Sequence, residues 1–148
     1  MIELVVVMVL IGIMAAIAIP RMGNVNEFRA MAFRDSVVSG LRFAQKTATS
    51  RRHVVCAAIT GTTLTLTIAA GGGVGAACDT DLPLSDGAAA VNSPDPANVT
   101  LAGMPAALFF QPDGRITTNA AGTANASVTD ASVGGQTIAL EGSTGYVQ

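Results

Sequence analysis

From Leu4 to Ile19 no polar side chain interrupts the chain. A helix that is apolar all round needs lipid or protein on every side, so this stretch cannot be an ordinary surface element. Residues 1–19 as one helix would be about 28 Å long, close to the hydrocarbon thickness of a bilayer. The one ionisable group is Glu3, at the start of the run. A carboxylate in such a place is costly and usually has a partner, so it marks a functional position. Pro20 follows and should kink the helix, because it removes a backbone donor and clashes with the preceding turn. Gly23-Asn24 weakens the helix again. A cleaved signal peptide fits poorly, since no small-residue cleavage site precedes a mature domain. A plain signal anchor is the other reading, and it has no use for Glu3.

From Val25 to Thr49 the pattern becomes amphipathic. Ala30, Phe33, Val37, Leu41, Ala44 and Ala48 recur at three- and four-residue steps, while Arg29, Arg34, Arg42 and Lys46 fall off that stripe. The spacing predicts the same helix continued, with one face laid on a globular domain and its end at Ser50-Arg51-Arg52. The chain therefore divides into residues 1–20, an apolar helix that needs lipid or protein around it; 21–52, its amphipathic continuation; and 53–148, a β-rich head.

In that head, His53–Thr60 and Thr63–Ala69 read as two strands joined around Gly61-Thr62. Leu64, Leu66 and Ile68 alternate with Thr63, Thr65 and Thr67, the pattern of a sheet with one packed face. The stretch from Gly71 to Asn98 is loop-rich. Leu108–Gln111 and Arg115–Thr117 flank Pro112-Asp113-Gly114, which supplies turn chemistry for a hairpin. Asn119 to Gly135 reads as an exposed loop with room for a short strand around Val128. Gln136–Leu140 and Tyr146-Val147 form a last hairpin. One long helix followed by strands predicts an α+β fold: a long N-terminal helix, apolar half then amphipathic half, packed on an antiparallel sheet. With 4% aromatic residues and no Trp, the core must be built from Val, Ile, Leu, Ala and a few Phe.

The net charge of −2 hides an asymmetry. Residues 1–52 carry seven Lys/Arg against Glu3, Glu27 and Asp35, a net of +4, whereas residues 53–148 carry Arg115 against seven acids, a net of −6. A basic stalk and an acidic head suit packing between subunits. Cys56 and Cys78 lie in the part that would be exported. An even cysteine count in an oxidising compartment reads first as one disulfide, which would stabilise the domain by about 3 kcal/mol; two buried free thiols are the alternative.

Catalytic chemistry finds little purchase. The single histidine, His53, starts a strand, with no nucleophile–base–orienter spacing around it. Gly71-Gly-Gly73 is followed by neither Lys-Ser/Thr nor a helix, so it is no phosphate loop. Asp79, Asp81 and Asp86 lie in one loop and could offer oxygens to calcium, but not at EF-hand spacing; an ordinary solvated acidic loop is the simpler reading. No catalytic residue, cofactor or metal is expected, and the chain does not read as an enzyme.

The residues Ile2-Glu3-Leu4-Val5-Val6-Val7, Gly12 and Ala15–Pro20 resemble the N-terminal segment shared by type IV pilins and type II secretion pseudopilins. Glu3 matches that family's glutamate and Pro20 its helix proline. The basic leader, cleavage-site glycine and Phe-Thr start of the family are missing. The resemblance therefore implies that Met1 stands at the family's Met before Ile-Glu and that the native chain begins earlier. Ser39–Thr49, the early cysteine strand and Phe110-Gln-Pro-Asp-Gly-Arg115 are similar to minor pseudopilins of the GspH/FimT type. Gly142–Val147 resembles the end of minor pilins of mannose-sensitive haemagglutinin pili.

The resemblance implies a pilin-like fold and a non-catalytic minor subunit that primes, caps or decorates a type IV pilus or type II secretion pseudopilus. A principal repeating subunit and a DNA-receptor pilin are the alternatives. It further implies an inner-membrane helix with the head in the periplasm before assembly, and then a place in an extracellular pilus or periplasmic pseudopilus. The partners implied are other pilin subunits through their N-terminal helices, and prepilin peptidase acting on the precursor. In that family Glu3 pairs with a neighbour's N-terminal amine. Nucleic acid is disfavoured: phosphate contacts need Lys/Arg, the head carries −6, and Gly145-Tyr-Val-Gln148 lacks the basic motif of DNA-uptake pilins. Arg51 and Arg52 are the basic residues left for such a role.

Overall fold

In the computed structural model of the protein, residues 2–18 and 25–148 are described. Helix α1 runs Ile2–Ala18 and helix α2 runs Val25–Arg51. The expected kink at Pro20 and the expected continuity of the two helices lie outside the described residues. Ten strands follow. They are β1 (Val55–Ile59), β2 (Thr63–Ala69), β3 (Cys78–Asp81), β4 (Ala90–Asn92), β5 (Leu101–Ala102), β6 (Ala107–Phe110), β7 (Ile116–Thr117), β8 (Ser127–Val133), β9 (Gln136–Glu141) and β10 (Tyr146–Val147). The fold is α+β with antiparallel sheets.

α2 forms because its apolar residues return every turn to one face. All six residues of the stripe are buried, from Ala30 and Phe33 at 2% exposure to Val37, Leu41, Ala44 and Ala48 at 0%. The helix stops where Arg52 takes a left-handed φ of 56°, a reversal usually left to glycine. The next residues enter β1 and turn back into β2, with Val55 opposite Ile68 and Ile59 opposite Leu64. Alternation along β2 sends Leu64, Leu66 and Ile68 into the core and leaves its threonines half-buried.

Where one sheet was expected, the head holds two. The first is ordered β3-β2-β1-β6-β7, with β4 also paired to β2; the second is β10-β9-β8-β5. α2 packs on β1, β2, β4 and β6 of the first and on β8, β9 and β10 of the second, so one helix closes both sheets over a single apolar cluster. The sheets meet at β7, where Ile116 N–H donates to Gly142 O and Ala126 N–H donates to Ile116 O, both at 2.8 Å. A side chain at Gly142 would collide with the backbone of Ala126 and Ile116, so only glycine allows this approach.

Two expectations are corrected by this second sheet. Residues 119–135 are not an exposed loop with a short strand: β8 spans seven residues and pairs with β9 from Ser127↔Glu141 to Val133↔Gln136. Its ladder is irregular between Val128 and Ala131, which puts Thr129 and Asp130 together on the outside and breaks the period-two pattern. The turn Gly134-Gly135, with φ of 53° and 83°, is a two-residue hairpin signal that joins β8 to β9. The region from Gly71 to Asn98, read as loop, contributes β3 and β4, both on the free side of β2.

Candidate functional site

α1 is the most unusual surface of the molecule. Every large apolar side chain from Ile2 to Met14 is at least 50% exposed, with Ile2 at 82% and Met14 at 74%. Glu3 lies in its first turn and is exposed. Among the described residues no helix is long and apolar enough to cross a membrane.

The first turns of α2 also expose apolar side chains: Val25, Phe28 and Met31 are 51%, 75% and 46% exposed. Phe28 points away from the buried stripe, and that offset was the available sequence signal for it. Exposed apolar side chains collected on one element mark a place where another surface sits.

The other sequence-singled residues fall elsewhere. Cys56 of β1 is bonded to Cys78 of β3, with Cα atoms 6.1 Å apart, so the edge strand is tied past β2 to its second neighbour. His53 is half-buried, its Nδ1–H donating to Ala69 O at 2.7 Å; a carbonyl can only accept, so the Nδ1 proton is fixed and the ring serves the β1–β2 junction. Asp79 Oδ1 accepts from Ala70 N–H, joining β3 to the residue after β2, and Asp86 Oδ1 accepts from Ala88 N–H, closing a local turn. Among the described residues no three His, Cys, Asp or Glu gather as metal ligands. Arg51 and Arg52 are exposed at the end of α2. The structure therefore puts the disulfide's Cys78 together with Asp79 and Asp81 on β3, Asp86 in the turn beyond it, and Glu3 on α1.

Two polar arrangements carry no sequence signal. Arg42 donates from Nε and Nη2 to Val147 O at 3.1 and 2.9 Å, and Arg34 donates from Nε to Thr137 O at 3.0 Å. These bonds tie β10 and β9 to α2. Gln111, 2% exposed, donates from Nε2 to Thr117 Oγ1 at 2.9 Å and to Ala120 O at 3.3 Å. It holds the loop after β7 from within. The acidity of Asp113 is altered by its surroundings. Burial pushes its pKa up, but the hydrogen bonds and charge of Arg115, at 2.7 Å from Nε, outweigh it and hold the group below the usual range.

With the fold and these surfaces established, the comparisons with other proteins add no relative. No family model, no curated protein and no solved structure matches the chain.

Proposed function

We propose that the protein is a non-catalytic filament subunit, a minor pilin or pseudopilin that primes, caps or decorates a type IV pilus or type II secretion pseudopilus. The observation that carries this reading is α1: a helix whose large apolar side chains from Ile2 to Met14 are at least half exposed while the core of the head closes without them. Such a helix is costly in water and is stable in lipid or among other helices. The subunit is held in the inner membrane by this segment before assembly, with the head in the periplasm, and its long N-terminal helix then enters the filament core.

Glu3 gives the reading its specificity, since a generic anchor has no use for a carboxylate in its first turn. In an apolar filament core the carboxylate pairs with a neighbouring subunit's N-terminal amine. Removing one partner of a buried pair costs about 3–5 kcal/mol. Glu3→Ala should therefore abolish incorporation while the head melts as before. Equal incorporation of the mutant would sink the pairing.

The reading as a whole is tested by cross-linking and mass spectrometry on native membranes and sheared filaments. Trace recovery, linked to other pilin-like subunits, is expected. Recovery as the bulk of a filament would make it the principal subunit, and recovery in membranes with no such neighbours would overturn the proposal.

A further inference from the structure

The outer face of α2 is cationic, and one strand of the head carries its complement. Arg42 and Lys46 are both exposed and one helical turn apart, which sets them about 6 Å apart along the axis. The Arg42 guanidinium is held by the Val147 carbonyl, which positions the charge without neutralising it. Lys46 takes part in no salt bridge among the described residues. Arg34 and Asp35, further along the same face, pair with each other at 3.0 Å, so the uncompensated charge rests on Arg42 and Lys46. The two cations border an open groove of about 590 Å³ whose lining also includes the internally paired Arg34 and Asp35, Val38, Phe43, Ser85 and Gln148.

β3 is an edge strand with one sheet neighbour, β2, and its Asp79, Thr80 and Asp81 are all exposed. Asp79 and Asp81 lie at most about 7 Å apart along the strand. That spacing matches the two cations. Neither aspartate pairs with a cation among the described residues. The Cys56–Cys78 bond ties the start of β3 to β1, so the carboxylates sit on a fastened edge.

We infer that the Arg42–Lys46 groove receives the Asp79–Asp81 edge of a second copy of this chain. The charge complementarity is written within one molecule, +4 before residue 53 and −6 after it. Because groove and strand are different surfaces, the contact runs head to tail and can repeat along a row of copies. Its pairs are solvent-exposed, so it weakens as salt shortens the screening length. The contact is a property of the head and stands apart from the filament reading: either can fail while the other holds.

Lys46 is the sole lysine of the chain, which makes the test selective. Full-length protein in detergent micelles, half of it labelled with ¹⁵N, is treated with a zero-length carbodiimide that joins amines to carboxylates in contact. Mixed-isotope peptides joining Lys46 to Asp79 or Asp81 are expected. In the same micelles, Lys46→Glu should weaken self-association about fivefold at low salt, and Asp79→Lys with Asp81→Lys on that background should restore it. Cross-links confined to single chains, formed only with other carboxylates, or absent would overturn the inference. So would self-association that charge reversal does not move.

Discussion

The two helices are built to opposite specifications. α2 buries six stripe residues against two sheets and keeps its cations in water. α1 leaves its large apolar side chains from Ile2 to Met14 half exposed or more and carries one carboxylate. The first is stabilised inside its own chain, and its substitutions should be felt in the melting of the head. The second has its packing energy still to gain, so its substitutions should be felt where lipid or other subunits cover it. Exposure, more than hydrophobicity, separates the two.

The sharpest way to break that contrast is a matched pair of truncations followed by thermal or denaturant unfolding of the head. Leu41→Ala, at a residue 0% exposed, should cost about 2–5 kcal/mol through lost transfer energy and the cavity left behind. Val9→Ala, at 55% exposure, should leave head stability unchanged within about 0.5 kcal/mol. A comparable loss from Val9→Ala would mean that α1 packs on its own head after all.

Replacing both cysteines by serine tests the first sheet against the second. Opening the 22-residue separation between Cys56 and Cys78 should lower stability by about 3 kcal/mol in the chain-entropy picture. Amide exchange should rise first in β3, leaving β8 and β9 protected. Uniform exchange would show that the sheets unfold as one.

The junction between the sheets should respond next. Gly142→Ala forces a methyl into the backbone of Ala126 and Ile116, and overpacking of this kind costs about 1–3 kcal/mol. Gly71→Ala, with open space around it, is the control and should be nearly silent.

The smallest effect is acid sensitivity at the β6–β7 turn. Arg115 lowers the pKa of Asp113 in the folded state, so the pairing contributes above the unfolded carboxylate's pKa of about 3.9 and is lost as pH falls through the folded value. Asp113→Asn should lower stability slightly at neutral pH, where the pairing contributes, and flatten the stability–pH curve below about pH 4, where the parent protein loses the same contribution. Both groups are about half exposed, which keeps the effect small.

Much of this was legible without coordinates, where one physical rule acted alone. Helical periodicity placed Ala30, Phe33, Val37, Leu41, Ala44 and Ala48 on the buried face, and period-two alternation did the same for Leu64, Leu66 and Ile68. Turn chemistry at Pro112-Asp113-Gly114 located the β6–β7 hairpin. The β8 strand was hidden because its irregular ladder spoils alternation, and β3 and β4 because short edge strands among glycines and aspartates carry no pattern of their own. Of the residues singled out, Glu3 stood out in the sequence by its apolar surroundings. The hydrogen bonds from Arg42 to Val147 were not legible there.

What the sequence alone determined is the apolar character of the first helix, the amphipathic face of the second, the charge split between stalk and head, and the strands with clean alternation. These depend on local spacing, which the chain carries wherever it folds. Only tertiary structure decided that the head has two sheets, that Gly142 is where they meet, that Cys56 reaches past β2 to Cys78, and that Arg42 spends its donors on Val147. Each of these joins residues far apart in the chain. Such pairings are set by how the whole core closes, since no local pattern encodes which distant backbone group a buried or anchored side chain will meet.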